Sequence, residues 1–273
     1  MIAVGPAIGH RAAIAACAAI AARNDSTLFH AARLLPRYRR DLFAAAYAAM
    51  RVIDDAVDEG FLLRPPGERG AARPAMLAEI EAWRRQTAEA AGAGPLPVPV
   101  AAGFRATVGR SDLGPWPWDG LASALAEDAA EAEMPDWTAF ERYAEGATVA
   151  PAAVFVYLLA CRFEHGHYRY DLPASPQDYA RDLGIFCYLV HILRDLAKDA
   201  GRRGRLVTIP AAELAAVGLD RVSLGDAVGT RDHARLDRLA ATILARAEGY
   251  RRRGRERLAD LVRHLGPRER LAL

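Results

Sequence analysis

Two pairs of aspartates, far apart in the chain, have the residue type and the spacing of a magnesium site. Asp54 and Asp58 stand in the sequence RVIDDAVDEG, and Asp195 and Asp199 stand in HILRDLAKDAGRRGR. Residues four apart lie on one face of a helix, so each pair can direct two carboxylates at one point. Oxygen ligands without a cluster of cysteines or imidazoles suit Mg²⁺, which binds carboxylates together with substrate phosphate oxygens. The two motifs together predict a magnesium and diphosphate site between two helices.

The helix around the first pair carries a phenol and a guanidinium on the same face. Tyr47, Arg51 and Asp54 follow one another at intervals of three or four residues, so they share one side of a helix. The flanking residues are mostly alanine and other apolar side chains, which indicates that this face enters a cleft in a helical bundle. Taken alone, the motif is also compatible with an ordinary solvated run of acids at a helix end.

The second pair lies on a helix face of the same character. His191 precedes Asp195 by four residues, and Arg194 adjoins it. Two matched acidic faces argue against coincidence. The segment AGRRGR that follows supplies further cations, at Arg202, Arg203 and Arg205. Arginine clamps diphosphate oxygens with two parallel hydrogen bonds, although such arginines also pair with nearby carboxylates or stabilise the end of a helix.

The composition predicts an all-α fold. Of the 273 residues, 52% are apolar and alanine is the commonest of them, which favours helix almost everywhere. No repeat or low-complexity boundary interrupts the pattern, so a single bundle is expected. Pro151 is expected to kink or break its helix. With prolines and glycines marking the loops, helices are predicted near residues 10–24, 27–35, 37–60, 74–91, 119–133, 136–163, 176–200 and 231–264.

Charge and cysteine content exclude several classes of function. The net charge of +2 is nearly balanced and the arginines are interleaved with acids, so no nucleic-acid partner is expected. Three cysteines without CxxC spacing fit a reducing cytoplasm. No apolar run approaches the roughly 20 residues that span a bilayer, so any membrane contact is expected to be peripheral. NADPH is not predicted, because the sequence has no glycine-rich dinucleotide fingerprint after a strand.

The motifs resemble those of the squalene/phytoene synthase family of head-to-head isoprenyl diphosphate synthases. The resemblance begins at STLFHAARLLPRYRR, continues through YAAMRVIDDAVDE and YAEGATVAPA, and reaches LGIFCYLVHILRDLAKDAGRRGR. It implies an all-α, isoprenoid-synthase-type helical bundle with a central apolar cavity, in one domain over residues 1–273. It also implies condensation (1′-2-3) of two C15 or C20 prenyl diphosphates to a presqualene- or prephytoene-type, or a squalene- or phytoene-type, product.

The resemblance further implies roles for individual residues. Two or three Mg²⁺ ions with substrate diphosphate would be held by Asp54, Asp58, Asp195 and Asp199. Contacts with the diphosphate would come from Thr27, Arg51, Arg194 and Arg205. The reacting carbons would lie near Tyr47 and Tyr143. Once Mg²⁺ and arginine neutralise the leaving diphosphate, the allylic C–O bond can ionise to a carbocation in an apolar cavity.

The chain departs from the family pattern near the second motif. Tyr188 and His191 stand where the family carries glutamine and asparagine. Since imidazole is a poor magnesium ligand, His191 is expected to donate to diphosphate or to act as a catalytic base; a hydrogen-bonded core histidine is the alternative. Pro151 alters the small-residue segment GATVAP, and one extra residue in GRLVTIP makes the register of Arg205 less secure.

Two other functions remain open at this level. A one-substrate terpene cyclase or prenyltransferase would use the same ionisation, and a non-catalytic helical assembly factor would not need intact motifs. The intact aspartates argue against the second. Among other conspicuous residues, Asp128 is explained equally well by a cleft or by a solvated acidic face, and packing or a surface loop is expected for Trp116, Trp118, His165 and His167.

Overall fold

The fold is built almost entirely from helices. A computed structural model describes residues 9–24, 26–90, 92–201 and 208–273. The prediction of an all-α fold is confirmed. The helices are α1 (His10–Arg23), α2 (Thr27–Ala32), α3 (Arg37–Asp55), α4 (Pro66–Ala88), α5 (Val98–Ala106), α6 (Trp116–Ala130), α7 (Trp137–Ala144), α8 (Ala150–Ala160), α9 (Pro176–Gly201), α10 (Ala211–Ala216), α11 (Arg221–Thr230), α12 (His233–His264) and α13 (Pro267–Ala272).

Shorter elements interrupt this series. Two π-helical segments, Ala56–Phe61 and Glu145–Val149, continue α3 and α7 directly, and a 3₁₀ turn covers Val108–Arg110. A small antiparallel hairpin joins β1 (Arg162–Glu164) to β2 (His167–Arg169). The hairpin was not expected from the sequence, which predicts a helix to residue 163 and a loop from residue 164. His165 and His167 are both exposed in it, as expected for a surface segment.

Local capping signals explain where several helices begin. Ser26 starts α2 by accepting a hydrogen bond from the amide of Phe29 at 3.2 Å. Asp136 caps α7 in the same way. At the start of α11, Asp220 and Ser223 form a reciprocal capping box. These side chains satisfy amides that have no partner within the helix, and each such cap typically stabilises a helix by about 1 kcal/mol.

Helix α3 runs through the core, and its alanines allow neighbouring helices to approach closely. The alanines of α3 that are buried are Ala44, Ala45, Ala46, Ala48 and Ala49. Trp83 of α4 donates its indole N–H to the carbonyl of Ala49 at 2.9 Å. Trp118 packs edge-on against Phe104, with ring centroids 4.9 Å apart, so it belongs to the core as expected. This packing holds the first acidic motif in place from behind.

Helix α9, which carries the second acidic motif, is held mainly by α12 and α8. Gly254 of α12 lies so close to Leu183 of α9 that a Cβ atom there would stand 2.9 Å from the Leu183 amide nitrogen. Tyr179 donates to Asp260 across the same pair of helices at 2.9 Å. The long α9–α12 contact therefore determines how α9 faces the rest of the bundle.

Several segments predicted as loops form helices. Helix α4 begins at Pro66 rather than near residue 74, α5 lies in a proline-rich stretch, and α10, α11 and α13 were not predicted. Proline is well tolerated in the first turn of a helix, where the amide has no intrahelical partner. Pro74 stands inside α4, and the residue four positions earlier is Gly70. Proline frequency alone therefore overestimates the loops in this chain.

The predicted break at Pro151 does not occur: the backbone stays helical from Trp137 to Ala160 and changes only to π geometry just before this proline. The chain passes through the π-helical segment Glu145–Val149 and resumes as α8 with Pro151 in its first turn. Proline lacks an amide hydrogen and collides with the carbonyl four residues earlier in a regular helix. Local widening of the helix avoids this collision, and such π segments occur frequently at functional sites.

The expectation that no apolar run is long enough to span a bilayer needs a correction for one stretch. By length and composition, Trp137–Ala160 is apolar enough to cross a bilayer, with a mean hydropathy of 1.4 over its most apolar window. Of that window, 67% is buried inside the protein. Core helices of helical bundles meet the same criterion, and the burial of this stretch accounts for its apolar character.

Gly146→Ala should destabilise the fold, because a Cβ atom there would overlap the carbonyl oxygen of Gly120 and stand 2.8 Å from its carbonyl carbon. We expect the free energy of unfolding to fall by about 3 kcal/mol, as for overpacked cores. Gly229→Ala is the matched control, since nothing lies within 4 Å of its added Cβ, and alanine there should stabilise α11 by about 0.5–1 kcal/mol. Urea unfolding followed by circular dichroism measures both, and equal stability of the two variants would contradict the close contact.

Candidate active site

A polar cavity of about 320 Å³ brings the two aspartate pairs together. Asp54 comes from α3 and Asp58 from the π-helical segment that follows it, while Asp195 and Asp199 come from α9. The remaining polar side chains of its lining are Asp128, Tyr143, Tyr188, His191 and Thr208. The four aspartates that are far apart in sequence thus line one cavity, which is the geometric condition for joint binding of cations.

An apolar cavity of about 210 Å³ adjoins the polar one. Asp54, Leu121 and Ala147 line both cavities, so the two meet at these residues. Arg51 and Tyr47 also line the apolar cavity, and the rest of its lining is Leu28, Phe43, Ala46, Met50, Pro151, Val154, Phe155 and Leu158. An elongated ligand with an anionic head and an apolar tail matches this division into two parts.

Arg51 stands at the junction of the two cavities and is held by carboxylates. It pairs with Asp54 at 2.6 Å and also with Asp55. Burial opposes the charge of Arg51, but the attraction of Asp54 and Asp55 outweighs burial and raises its pKa. Asp55, the acid between the two motif aspartates, is therefore turned toward Arg51 and is absent from the lining of the polar cavity.

The polar cavity is unfavourable for negative charge in the protein alone. Burial and, after it, the negative charge of Asp58 raise the pKa of Asp54 to about 6, although Arg51 acts in the opposite direction. About a third of the Asp54 side chain remains exposed, so the carboxylate faces the cavity rather than the core. A cation in the cavity would relieve this repulsion.

Asp128 of α6, for which the sequence left a cleft position and a solvated acidic face equally open, lines the polar cavity. Tyr143 donates its hydroxyl to both carboxylate oxygens of Asp128, at 3.1 and 3.0 Å. Burial raises the pKa of Asp128 to about 7; the hydrogen bond from Tyr143 lowers it, and the charges of Asp58 and Asp54 raise it further. The stretch LAEDAAEAE contains four acids, and no signal in it distinguishes the one that faces the cavity.

Tyr188 extends this network on the other side of Tyr143. Its hydroxyl donates to Thr208 at 3.3 Å, and its ring stacks on Phe140 with centroids 6.0 Å apart. Burial raises the pKa of Tyr188 to about 12. Tyr188 thus contributes an aromatic ring and a single hydroxyl to the wall of the polar cavity.

The other predicted residues lie in different places. His191 lines the polar cavity from its exposed side. Arg194 is exposed and donates two hydrogen bonds to Asp195, at 3.0 and 2.8 Å, which lower the pKa of Asp195. Thr27 is exposed at the first position of α2 and lines neither cavity, while its neighbour Leu28 lines the apolar one. Outside the described residues lie Arg202, Arg203 and Arg205.

The donor set of the polar cavity suits Mg²⁺. Its ligating groups are carboxylates, with His191 as the one imidazole in the described lining. Across the described ranges, no three carboxylate, imidazole or thiol groups converge closely enough to hold an ion by themselves. Mg²⁺ usually keeps several waters and binds one or two carboxylates together with substrate phosphates. The residues present therefore fit Mg²⁺ that arrives with a diphosphate.

Comparison with known proteins agrees with this arrangement. The profile of the squalene/phytoene synthase family matches residues 21–272 of the chain. The chain belongs to this family. A phytoene synthase of Cereibacter sphaeroides is 30% identical over 187 residues, which are 67% of this chain and 48% of that protein. The chain therefore spans about half the length of the curated relative that it matches.

Solved structures of the family share the fold. A dehydrosqualene synthase in complex with ligand superposes with a TM-score of 0.68 at 17% identity, covering 96% of this chain and 81% of that chain. The squalene synthase HpnC from Alicyclobacillus acidocaldarius gives the same TM-score at 20% identity, covering 96% of this chain and 88% of that chain. These likenesses confirm the isoprenoid-synthase-type helical bundle predicted from the sequence.

Asp128→Asn tests the cost of negative charge in the cavity. The folded protein binds the Asp128 proton more tightly than the unfolded chain, because the pKa rises from 3.8 to about 7. Ionisation therefore costs stability from about pH 4 upward, and the full cost is present above about pH 7. With EDTA present, we expect the variant to be more stable than the wild type by about 4 kcal/mol at about pH 8, with the gain vanishing below about pH 4.

Urea unfolding across this pH range measures the effect. Asparagine keeps an oxygen that accepts from Tyr143, so the variant removes charge without removing the hydrogen bond. Glu127→Gln is the matched control, since Glu127 is the preceding residue and pairs with Arg142 at 3.3 Å. A stability difference for Asp128→Asn that does not change with pH would contradict the raised pKa.

Proposed function

We propose that this protein is a Mg²⁺-dependent transferase that ionises an allylic prenyl diphosphate and couples two C15 or C20 prenyl diphosphates head to head. The observation that carries the proposal is the junction of an aspartate-lined cavity with an apolar, aromatic-lined one. A prenyl diphosphate has the same division into a charged head and an apolar chain. Membership of the squalene/phytoene synthase family supports the head-to-head reaction.

The residues around the polar cavity would bind and orient the diphosphate. Mg²⁺ held by Asp54, Asp58, Asp195 and Asp199 would supply charge neutralisation for the departing diphosphate. Arg51 stays charged in any environment, and its place at the junction of the cavities suits contact with the diphosphate end of the substrate. Arg194 holds Asp195 with two hydrogen bonds, so we propose that it positions this carboxylate; direct contact with diphosphate would require that pair to open.

The residues around the apolar cavity would handle the carbon chain. Three aromatic side chains line this cavity, with the ring of Phe43 5.4 Å from that of Tyr47 and 6.4 Å from that of Phe155. The faces of aromatic rings attract cations, and the apolar lining excludes water that would intercept a carbocation. Tyr143 lies at the polar end, where Asp128 holds its hydroxyl. Tyr47 and Tyr143 therefore remain our candidates for residues near the reacting carbons.

His191 has a place that favours one of its two predicted roles. It lies one turn before Asp195 on α9. It lines the polar cavity and is absent from the lining of the apolar cavity. Donation of a hydrogen bond to diphosphate suits this position better than removal of a proton from a carbon. Its imidazole takes over the polar contact that an asparagine makes in the family pattern.

Product analysis tests the reaction directly. The purified protein, supplied with Mg²⁺ and either farnesyl or geranylgeranyl diphosphate, should yield a C30 or C40 diphosphate or hydrocarbon by mass spectrometry. A C15 or C20 cyclic product would instead show that the site cyclises a single substrate and does not couple two. Neither product, together with no release of diphosphate from any prenyl donor, would favour a non-catalytic helical protein.

Substitution of the aspartates tests the site. We expect Asp54→Asn and Asp195→Asn each to lower kcat for diphosphate release by about 10²–10³-fold, the cost of removing one electrostatic contact to a transition state. Asp237→Asn, at an exposed position of α12 outside both cavities, is the matched control and should keep wild-type kcat. Full activity in both cavity variants would refute the assignment of these aspartates.

A further inference from the structure

A group of exposed apolar side chains lies outside the candidate active site, on elements that pack against one another. Leu34 at the end of α2 is 50% exposed, Phe163 of β1 is 44% exposed, and Leu271 of α13 is 76% exposed. Leu273, at 44%, follows α13. Helix α13 packs against α2 and α8. Isolated exposed apolar residues are common on proteins, so the surroundings of these four decide their meaning.

Specific contacts tie these elements into one region. Arg39 of α3 donates to the carbonyls of Leu159 and Cys161 at the end of α8, each at 2.9 Å, and pairs with Glu269 of α13 at 2.8 Å. Tyr38 packs its ring against Phe163, with centroids 6.1 Å apart. The end of α2, the start of α3, the hairpin and α13 therefore form a contiguous surface. We call residues 33–41, 162–164 and 267–273 together the basic apolar region.

The basic apolar region concentrates positive charge. It contains seven arginines and three acidic residues, so its side chains carry a net charge of +4. The whole chain carries a net charge of +2, so the residues outside this region together carry a net charge of −2. One of the acids, Glu269, is already paired with Arg39. The arginines of the region that are exposed are Arg33, Arg37, Arg40, Arg162, Arg268 and Arg270.

A third cavity borders this region and shares one lining residue with the apolar cavity of the candidate active site. It has a volume of about 240 Å³, and Arg33, Arg37 and Arg40 line it together with apolar side chains of α1, α2 and α3. Phe43 lines this cavity and also the apolar cavity of the site.

We propose that the basic apolar region docks the protein on an anionic membrane surface. Leucine and phenylalanine side chains enter the boundary between headgroups and acyl chains, and arginines pair with lipid phosphates. A nucleic acid would contact the arginines but would leave the leucines in water. If a second copy of the chain bound through the same region, two surfaces that each carry a net charge of +4 would face each other and repel. An anionic lipid surface satisfies both the apolar and the charged side chains.

This inference concerns binding to a surface and does not depend on the proposed reaction. Binding is measured without substrate, by sedimentation of the full-length protein with vesicles of phosphatidylcholine containing about 30% phosphatidylglycerol at about 0.1 M salt. We expect the protein to sediment with these vesicles, to remain in solution with pure phosphatidylcholine, and to be released at about 0.5 M salt, where charges are screened.

Substitutions within the region should weaken binding. We expect Arg268→Gln and Arg162→Gln each to weaken vesicle binding about fivefold, the change that corresponds to one basic side chain at an anionic surface. Leu271→Ser should weaken it by a similar factor, through loss of the inserted apolar side chain. All three residues are exposed and lie outside both cavities of the candidate site, so diphosphate release from a dissolved prenyl donor should be unchanged.

Matched controls come from other faces of the protein. Val222→Ser removes an apolar side chain that is 81% exposed on α11, and Arg85→Gln removes an arginine that is 65% exposed on α4. Both should bind vesicles as the wild type does. The proposal is overturned if the wild type does not sediment with anionic vesicles, or if the controls lose binding as much as the region's variants. It is equally overturned if light scattering shows a dimer that Leu271→Ser dissociates while vesicle binding is absent.

Discussion

Repulsion among carboxylates in one partly buried cavity is the constraint on which the structure depends. Asp54, Asp58, Asp128, Asp195 and Asp199 all line the same polar cavity. Burial, and after it the charge of neighbouring carboxylates, raises the pKa values of Asp54 and Asp128. Such a cluster does not stabilise the fold by itself. The free energy that holds it together comes from packing elsewhere, and in the proposed function Mg²⁺ bound with diphosphate would offset this unfavourable charge.

The scaffold meets this constraint by making the two acid-bearing helices rigid from the side away from the cavity. Helix α3 packs through its small alanines, and Trp83 anchors α4 on the Ala49 carbonyl. Helix α9 is held along α12, where Gly254 permits a close approach to Leu183. The π-helical segments after α3 and α7 lie at the cavity itself. Regular packing thus supports the site, and the two π-helical segments contribute to its walls.

Charge is distributed unevenly over the rest of the molecule in a way that matches an amphiphilic ligand. Acidic side chains gather at the polar cavity, whereas the basic apolar region combines arginines with exposed leucines and a phenylalanine. Between them lie the apolar cavity and the wall formed by Phe43. A nearly balanced overall charge of +2 conceals this separation, because the sequence total adds the charges of both regions.

The sequence by itself determined the helical class and the two aspartate pairs, because each depends on local composition or on spacing within one helix. It overestimated loops around prolines, since proline disfavours only the interior of a helix. Only the tertiary structure decided that Asp128 faces the cavity, that Asp55 turns to Arg51, and that Thr27 lies outside both linings. These outcomes depend on which helices meet and at what rotation, and nothing within a single helix specifies either.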